Sequence, residues 1–116
     1  SDVCSSYLIE LLNLYRDLKT KHNLKLFIFT SGNYLHTVKE IKEDLKVFND
    51  FITLADLGDF RKDESLAYRA LLKNLNKKPQ GCLFIDDNAL NIKAAKEVGI
   101  TTFQVNDNIK LINKFF

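Results

Sequence analysis

The sequence has no apolar run approaching the ~18 to 20 residues that a bilayer-spanning helix needs, and no charged-then-apolar pattern near Ser1. Neither a membrane span nor a secretory leader is visible, so the expectation is a soluble, cytoplasmic protein that engages no membrane. A surplus of one charge is also lacking. Seventeen Lys and Arg stand against 15 Asp and Glu, giving a formal net charge of +2, and they are spread along the chain rather than gathered in blocks. That is not the footprint of a nucleic-acid binder. Cysteine is scarce: Cys4 and Cys82 match no zinc-ligand spacing, and Cys82 opens an apolar run where a small hydrophobe is wanted. A reduced, intracellular setting fits that usage. No internal repeat or low-complexity tract interrupts the chain.

What is present, 116 residues of which 46% are hydrophobic, is enough for one domain with a single core, here residues 1–116. Leu8, Leu11, Leu12, Tyr15 and Leu18 recur at helical spacing over residues 7–18. Residues 24–29 (LKLFIF) form a run too short for a helix and run into Ser31 and Gly32, which predicts a buried strand ending in a loop. A helix follows, with Leu35, Val38, Ile41 and Leu45 on one face. Residues 51–55 (FITLA) read as a second strand. A loop then leads to Asp63, Glu64 and Ser65, which suit a helix N-terminus, and to a helix over 66–75 with Ala67, Ala70 and Leu71 turned inward. The third strand is 82–85 (CLFI), the next helix 88–98 is stopped by Gly99, the fourth strand is 101–105, and 109–116 closes as a last helix. Strands alternating with helices at this spacing predict an α/β fold with a parallel sheet covered on both faces, where ligands bind outside the carboxyl ends of the strands.

Asp86 and Asp87 fall on that rim, side by side at the end of the third strand. Two carboxylates with no cation between them repel, which raises one pKa. A hard cation removes the conflict, and magnesium favours one or two carboxylates plus water and phosphate oxygens. The plainer alternative, that Asp87 or Asn88 caps the following helix, accounts for one of these residues but not for three polar ones in a row. Thr30 ends the first strand, and Ser31, Gly32 and Asn33 present hydroxyls and backbone N–H groups before a helix, which suits an anion, although Ser and Gly after a strand are also ordinary turn chemistry. Lys62, just ahead of a helix, has the charge to neutralise a phosphate; a lone lysine in that place is otherwise a solvated surface residue.

The order of these features resembles the haloacid dehalogenase (HAD) superfamily of phosphatases. Its second motif is a Ser or Thr after an apolar strand, its third a Lys near a helix N-terminus, and its fourth an acidic pair after another strand. Residues 56–103, from Asp56 through Tyr68, Asn91 and Gly99 to the closing strand, look like the family's second half nearly throughout. The resemblance implies a HAD-like Rossmannoid sheet and a Mg2+ held directly by Asp87 and supported by Asp86. It further implies that Thr30 is a catalytic residue binding a phosphate oxygen, with Ser31 and Gly32 beside it, and that Lys62 is a catalytic residue bridging phosphate and carboxylate. Relatives often show Lys-Pro-Asp-Pro at the third motif, where this chain has Lys62, Asp63, Glu64 and Ser65.

One family element is missing from the sequence. HAD phosphatases begin with an apolar strand ending in Asp-x-Asp, whose first Asp attacks phosphorus and whose second serves as general acid and base. Nothing here matches. The expectation is therefore that these residues are the C-terminal portion of a longer chain, a phosphatase working on a small phosphorylated substrate through an aspartyl-phosphate, or that another segment or chain supplies the first strand. The alternative is a catalytically inactive binding module of the same fold. A receiver-like phospho-acceptor domain also groups acids, a Thr and a Lys, but carries its acidic pair after its first strand. The missing strand lies, in the family, between those matching 26–29 and 82–85, so both edges need partners. Finding these two strands in separate sheets is expected to mean that the family fold is wrong and that every site residue assigned with it falls.

Overall fold

The computed structural model describes residues 5–30, 48–106, 111, 114 and 115. The chain divides into two compact units, Ser1–Ile52 and Thr53–Phe116.

In the first unit, α1 (Ser5–His22) ends with Lys19, Lys21 and His22 in its last turn, where positive charge meets the helix's negative pole. Asn23 closes it in the left-handed region at φ 53°, a conformation asparagine tolerates better than most residues. Strands β1 (Phe27–Thr30) and β2 (Asp50–Thr53) form a two-stranded sheet. Asn49 fastens its start, donating its N–H to the Leu26 carbonyl at 2.6 Å and accepting the Leu26 N–H on Oδ1 at 2.8 Å. Tyr15 of the helix meets Phe48 edge to face at 5.9 Å. The helix expected around Leu35 to Leu45 lies outside the described residues.

The second strand is shorter than its apolar run suggests, because Leu54 already begins a one-turn helix, α2 (Leu54–Leu57). Thr53 and Asp56 form a reciprocal capping box: Thr53 Oγ1 accepts the Asp56 N–H at 3.2 Å, and Asp56 Oδ2 accepts the Thr53 N–H at 3.1 Å. Two satisfied donors outweigh the strand preference of two more apolar residues.

The rest of the second unit comprises α3 (Ser65–Leu75), a 3-10 turn at Pro79–Gly81, β3 (Leu83–Asp86), α4 (Ala89–Glu97) and β4 (Thr101–Gln104). Strands β3 and β4 are parallel, with Leu83 opposite Thr101 and Asp86 opposite Gln104, and the Val105 N–H continues the ladder to the Asp86 carbonyl at 2.9 Å. A parallel pair needs a crossover, and α4 provides it, packing on both strands and on α3. The core is Ala67, Tyr68, Leu71 and Leu72 from α3, Ile92, Ala94 and Ala95 from α4, and Ile100, Phe103 and Val105 around β4. Ala70, expected inside, is only half-buried: the buried stripe of α3 runs through 67, 68, 71 and 72, so the large ring of Tyr68 takes the place next to Ala67. Phe115 packs edge-on against Phe103 at 5.8 Å, while most of the expected last helix lies outside the described residues. Among the described residues no helix is long and apolar enough to cross a membrane.

Gly99 ends α4 at φ +90°, with its N–H on the Lys96 carbonyl at 2.9 Å and the Ile100 N–H on the Ala95 carbonyl at 3.3 Å. This pair of bonds satisfies carbonyls the helix leaves open and turns the chain into β4. An added Cβ would meet Pro79 at 3.6 Å, an ordinary contact, so the penalty of Gly99→Ala comes from the backbone. The expected loss is ~1 to 2 kcal/mol, read as a lower urea midpoint with an unchanged slope; no loss would mean that the turn relaxes freely.

Strands β1 and β3 do lie in different two-stranded sheets. The expectation that separate sheets would overturn the family fold is therefore corrected: the criterion itself was wrong, for a physical reason. In the family pattern the two strands flank a third and share no hydrogen bonds, so a sequence without that strand leaves them unjoined in any case.

Candidate functional site

Alternation along β3 puts Phe84 and Asp86 on the same face of the strand, two residues apart. Lys62, in the turn leading into α3, lies over both: its ammonium is 3.2 Å from Asp86 Oδ2 and 5.8 Å from the centre of the Phe84 ring. The Lys62 carbonyl accepts the Tyr68 hydroxyl at 2.7 Å, and the Tyr68 ring meets Phe84 edge-on at 5.0 Å. The neighbouring Arg61–Asp63 ion pair is double-stranded but solvent-exposed on the arginine side, and such pairs contribute little.

Asp86 is enclosed by donors. Oδ1 accepts the Asn88 N–H at 2.9 Å, Oδ2 accepts Asn91 Nδ2 at 3.1 Å as well as Lys62, and the side chain is 9% exposed. Burial by itself disfavours the charged form, but the Asn88 N–H, the Lys62 charge and the Asn91 amide together outweigh it and hold the carboxyl below its ordinary range. Asp87 is exposed and moves the opposite way: the adjacent Asp86 carboxylate, acting first as hydrogen-bond acceptor and also through its charge, pushes it up, with burial adding to the effect. The two acids thus differ: Asp86 is held by protein donors, and Asp87, exposed beside it, has its pKa raised.

The helix cap is Asn88 and not Asp87. Asn88 Oδ1 accepts the Leu90 and Asn91 N–H groups at 2.9 and 3.2 Å, so capping accounts for the amide and leaves Asp87 without that role. Gln104 Nε2 reaches the Asp87 carbonyl at 3.3 Å, tying the acidic turn to the end of β4. As a donor set the pair suits part of a Mg2+ site: hard oxygens only, with Asp87 exposed and Asp86 committed to protein donors. Among the described residues no three His, Cys, Asp or Glu side chains gather into a metal cluster, so water and further oxygen ligands would complete the shell.

The structure therefore brings Lys62, Asp86 and Asp87 together. Thr30 ends β1 in the other unit, with its backbone described and its side chain not; Ser31 and Gly32 lie outside the described residues. Sequence reasoning assigned no task to Asn91, Gln104 or the Tyr68 hydroxyl. The first was legible in principle, since Asn91 follows Asn88 by three residues and so returns to the same helix face beside the strand end.

The family model of the haloacid dehalogenase-like hydrolases matches residues 8–99. Among solved structures, an uncharacterized protein from Corynebacterium glutamicum shares the fold with a TM-score of 0.74 at 18% identity, covering 98% of this chain and 83% of its own. A HAD-family enzyme from Bacteroides thetaiotaomicron, solved with magnesium and inorganic phosphate, matches at 0.67 and 22% identity over 86% of this chain and 53% of its own. A HAD-superfamily hydrolase from Ehrlichia chaffeensis matches at 0.61 and 27% identity over 92% and 54%. The chain thus spans about half the length of these two enzymes. A parallel strand pair bearing an acidic couple, a lysine locked onto the first acid and a family match over most of the sequence converge on one assignment: the chain belongs to the haloacid dehalogenase-like hydrolases.

Proposed function

We propose that this chain carries the cation-binding and phosphate-neutralising part of a Mg2+-dependent phosphatase that acts in the cytoplasm on a small phosphorylated metabolite. The observation that carries the reading is the Lys62–Asp86 contact of 3.2 Å with Asp87 beside it at the end of a parallel strand. In this reading Asp87 ligates the cation, and Asp86 holds the Lys62 ammonium where it faces both a carboxylate and an incoming phosphate oxygen. The family resemblance assigns a phosphate-oxygen contact to Thr30, with Ser31 and Gly32. Bound Mg2+ supplies charge neutralisation at the phosphate. The nucleophilic carboxylate belongs to an apolar strand ending Asp-x-Asp, which this sequence does not contain and which a further segment or chain supplies.

Two outcomes follow for the 116 residues by themselves. Cation affinity is expected to be weak, on the order of millimolar, because two carboxylates are part of a shell; Mn2+ used in place of Mg2+ should broaden the amide signals around Asp87 and Asn88, and Asp87→Ala should remove the effect. Tight binding that survives Asp87→Ala would sink the metal assignment. Hydrolysis of an aryl phosphate is expected to be undetectable, and turnover abolished by Asp87→Asn would reveal a nucleophile elsewhere in the sequence. Should a supplied Asp-x-Asp strand bind without restoring turnover, the chain is a binding module of the same fold.

A further inference from the structure

We propose that Gln104 is a positioning residue for Asp87, fixing the direction in which that carboxylate leaves the acidic turn. The inference rests on the reading of Asp87 as the cation ligand. Gln104 ends β4 and stands opposite Asp86 in the parallel register, so the two side chains leave the sheet on the same face. Both act on one peptide unit, the one joining Asp87 to Asn88. Asp86 Oδ1 accepts its N–H, from Asn88, at 2.9 Å, and Gln104 Nε2 donates to its carbonyl, on Asp87, at 3.3 Å. A peptide unit is planar, so a bond at one end leaves the plane free to rock about that bond, whereas bonds at both ends set its orientation.

The plane on the other side of Asp87 is held as well. The Asp86 carbonyl accepts the Val105 N–H at 2.9 Å, which makes the peptide unit between Asp86 and Asp87 part of the ladder joining β3 and β4. The Cα of Asp87 thus lies between two oriented planes, and the direction of its Cα–Cβ bond follows from them. That direction matters because Asp87 is exposed and caps no helix: Asn88 Oδ1 takes the Leu90 and Asn91 N–H groups. An exposed carboxylate on an untethered turn has to be ordered when it meets a cation, and the ordering lowers affinity; a turn held in advance avoids that cost. The backbone ladder reaches Asp86, and the glutamine side chain adds a rung one residue beyond it, at the acid assigned to the cation.

Gln104 is exposed, so its amide can be removed without opening the core. Gln104→Met keeps the length of the side chain and loses the donor. For the 116-residue chain and this variant, NMR gives the chemical shift of the Asp87 carbonyl carbon and, from broadening of the Asn88 amide signal, the Kd for Mn2+; urea unfolding gives the midpoint. Gln104→Met is expected to shift the carbonyl signal and to weaken Mn2+ binding about threefold, within the range of one exposed hydrogen bond. If the carbonyl signal shifts or the urea midpoint falls while the Kd stays the same, the bond serves the fold alone and the proposal is overturned. An unchanged carbonyl signal overturns it as well, because the bond is then not made. Asp87→Ala separates this result from the reading beneath it. That variant is expected to remove the Mn2+ effect; if it does so while Gln104→Met binds like the parent, only the positioning role of Gln104 fails, whereas broadening that persists in Asp87→Ala overturns the cation reading and the proposal together. Should Gln104→Met not fold, Gln104→Asn, which keeps the amide but falls one methylene short of the carbonyl, goes through the same comparison and is scored in the same way.

Discussion

Asp86→Ala is expected to destabilise the chain by about 3 kcal/mol at neutral pH, the scale for breaking a largely buried ion pair from one side. The loss has three parts that act together. Lys62, 25% exposed, keeps its charge beside Phe84 without its carboxylate; the Asn91 amide loses its acceptor; and the Asn88 N–H loses the bond that shapes the turn into α4. Urea unfolding measures it, with the slope unchanged. The dependence on pH gives a second check. Because Asp86 is held below its ordinary range in the fold, its contribution is fully present above the unfolded value of ~3.9 and is lost as pH falls through the lower folded value. The gap between the chain and Asp86→Ala should therefore close in acid. Asp87 has the opposite sign: its raised folded pKa means that the ionised form costs stability above that value, a cost that disappears as pH falls through it. Asp87→Asn should consequently stabilise the metal-free chain at neutral pH, by only about 0.5 kcal/mol because the group is exposed and screened. A loss below ~1 kcal/mol for Asp86→Ala would return Lys62 to the class of solvated surface lysines.

Much of this arrangement was legible before any coordinates. The strand expected over 82–85, the helix expected over 88–98 and the stop at Gly99 are local statements, set by an apolar run, a polar turn and a residue free to adopt positive φ, and the structure moves the strand by one residue and trims the helix by one at each end. Repulsion between adjacent carboxylates was likewise a matter of spacing, and the pKa shifts of Asp86 and Asp87 run in the opposite senses that such a pair implies. Less visible was what depended on competition. At Thr53 a capping box defeats an apolar run that reads equally well as strand, and the signal, a Thr three residues ahead of an Asp, was present but outvoted. The bonds from Asn91 and Gln104 to the acidic turn join residues 5 and 17 positions apart, and only the packing of α4 and β4 against β3 brings the second within reach. Sequence spacing set Lys62 six residues before Tyr68, but not that a hydroxyl would bind the carbonyl of the one and a ring would support its ammonium.

Ala95→Leu is expected to cost about 3 kcal/mol and to loosen the acidic turn some distance from the substitution. Ala95 is 0% exposed and Ala94 2%, on a helix that packs against β3, β4 and α3, so their small side chains limit how closely the helix approaches its neighbours. A leucine adds three carbons where no space exists, and a core that cannot repack shifts the helix or strains its rotamers, with typical penalties of ~1 to 3 kcal/mol. The consequence reaches the site because α4 begins there. Asn88 caps its first turn while donating to Asp86 Oδ1, and Asn91, one turn in, donates to Oδ2. A helix pushed outward lengthens the Asn91 bond of 3.1 Å before any other, since that contact depends on the distance between helix and strand and not on the local turn. The Asn91 side-chain amide signals in NMR should then move toward those of a solvated asparagine, and the Asp86 carboxyl should titrate at higher pH than in the parent. Lys96→Ala, on the exposed side of the same helix, is the control, expected within ±0.5 kcal/mol and without effect on Asn91. If Ala95→Leu destabilises the chain while the Asn91 and Asp86 signals stay in place, the helix deforms locally and the close packing of α4 serves stability alone.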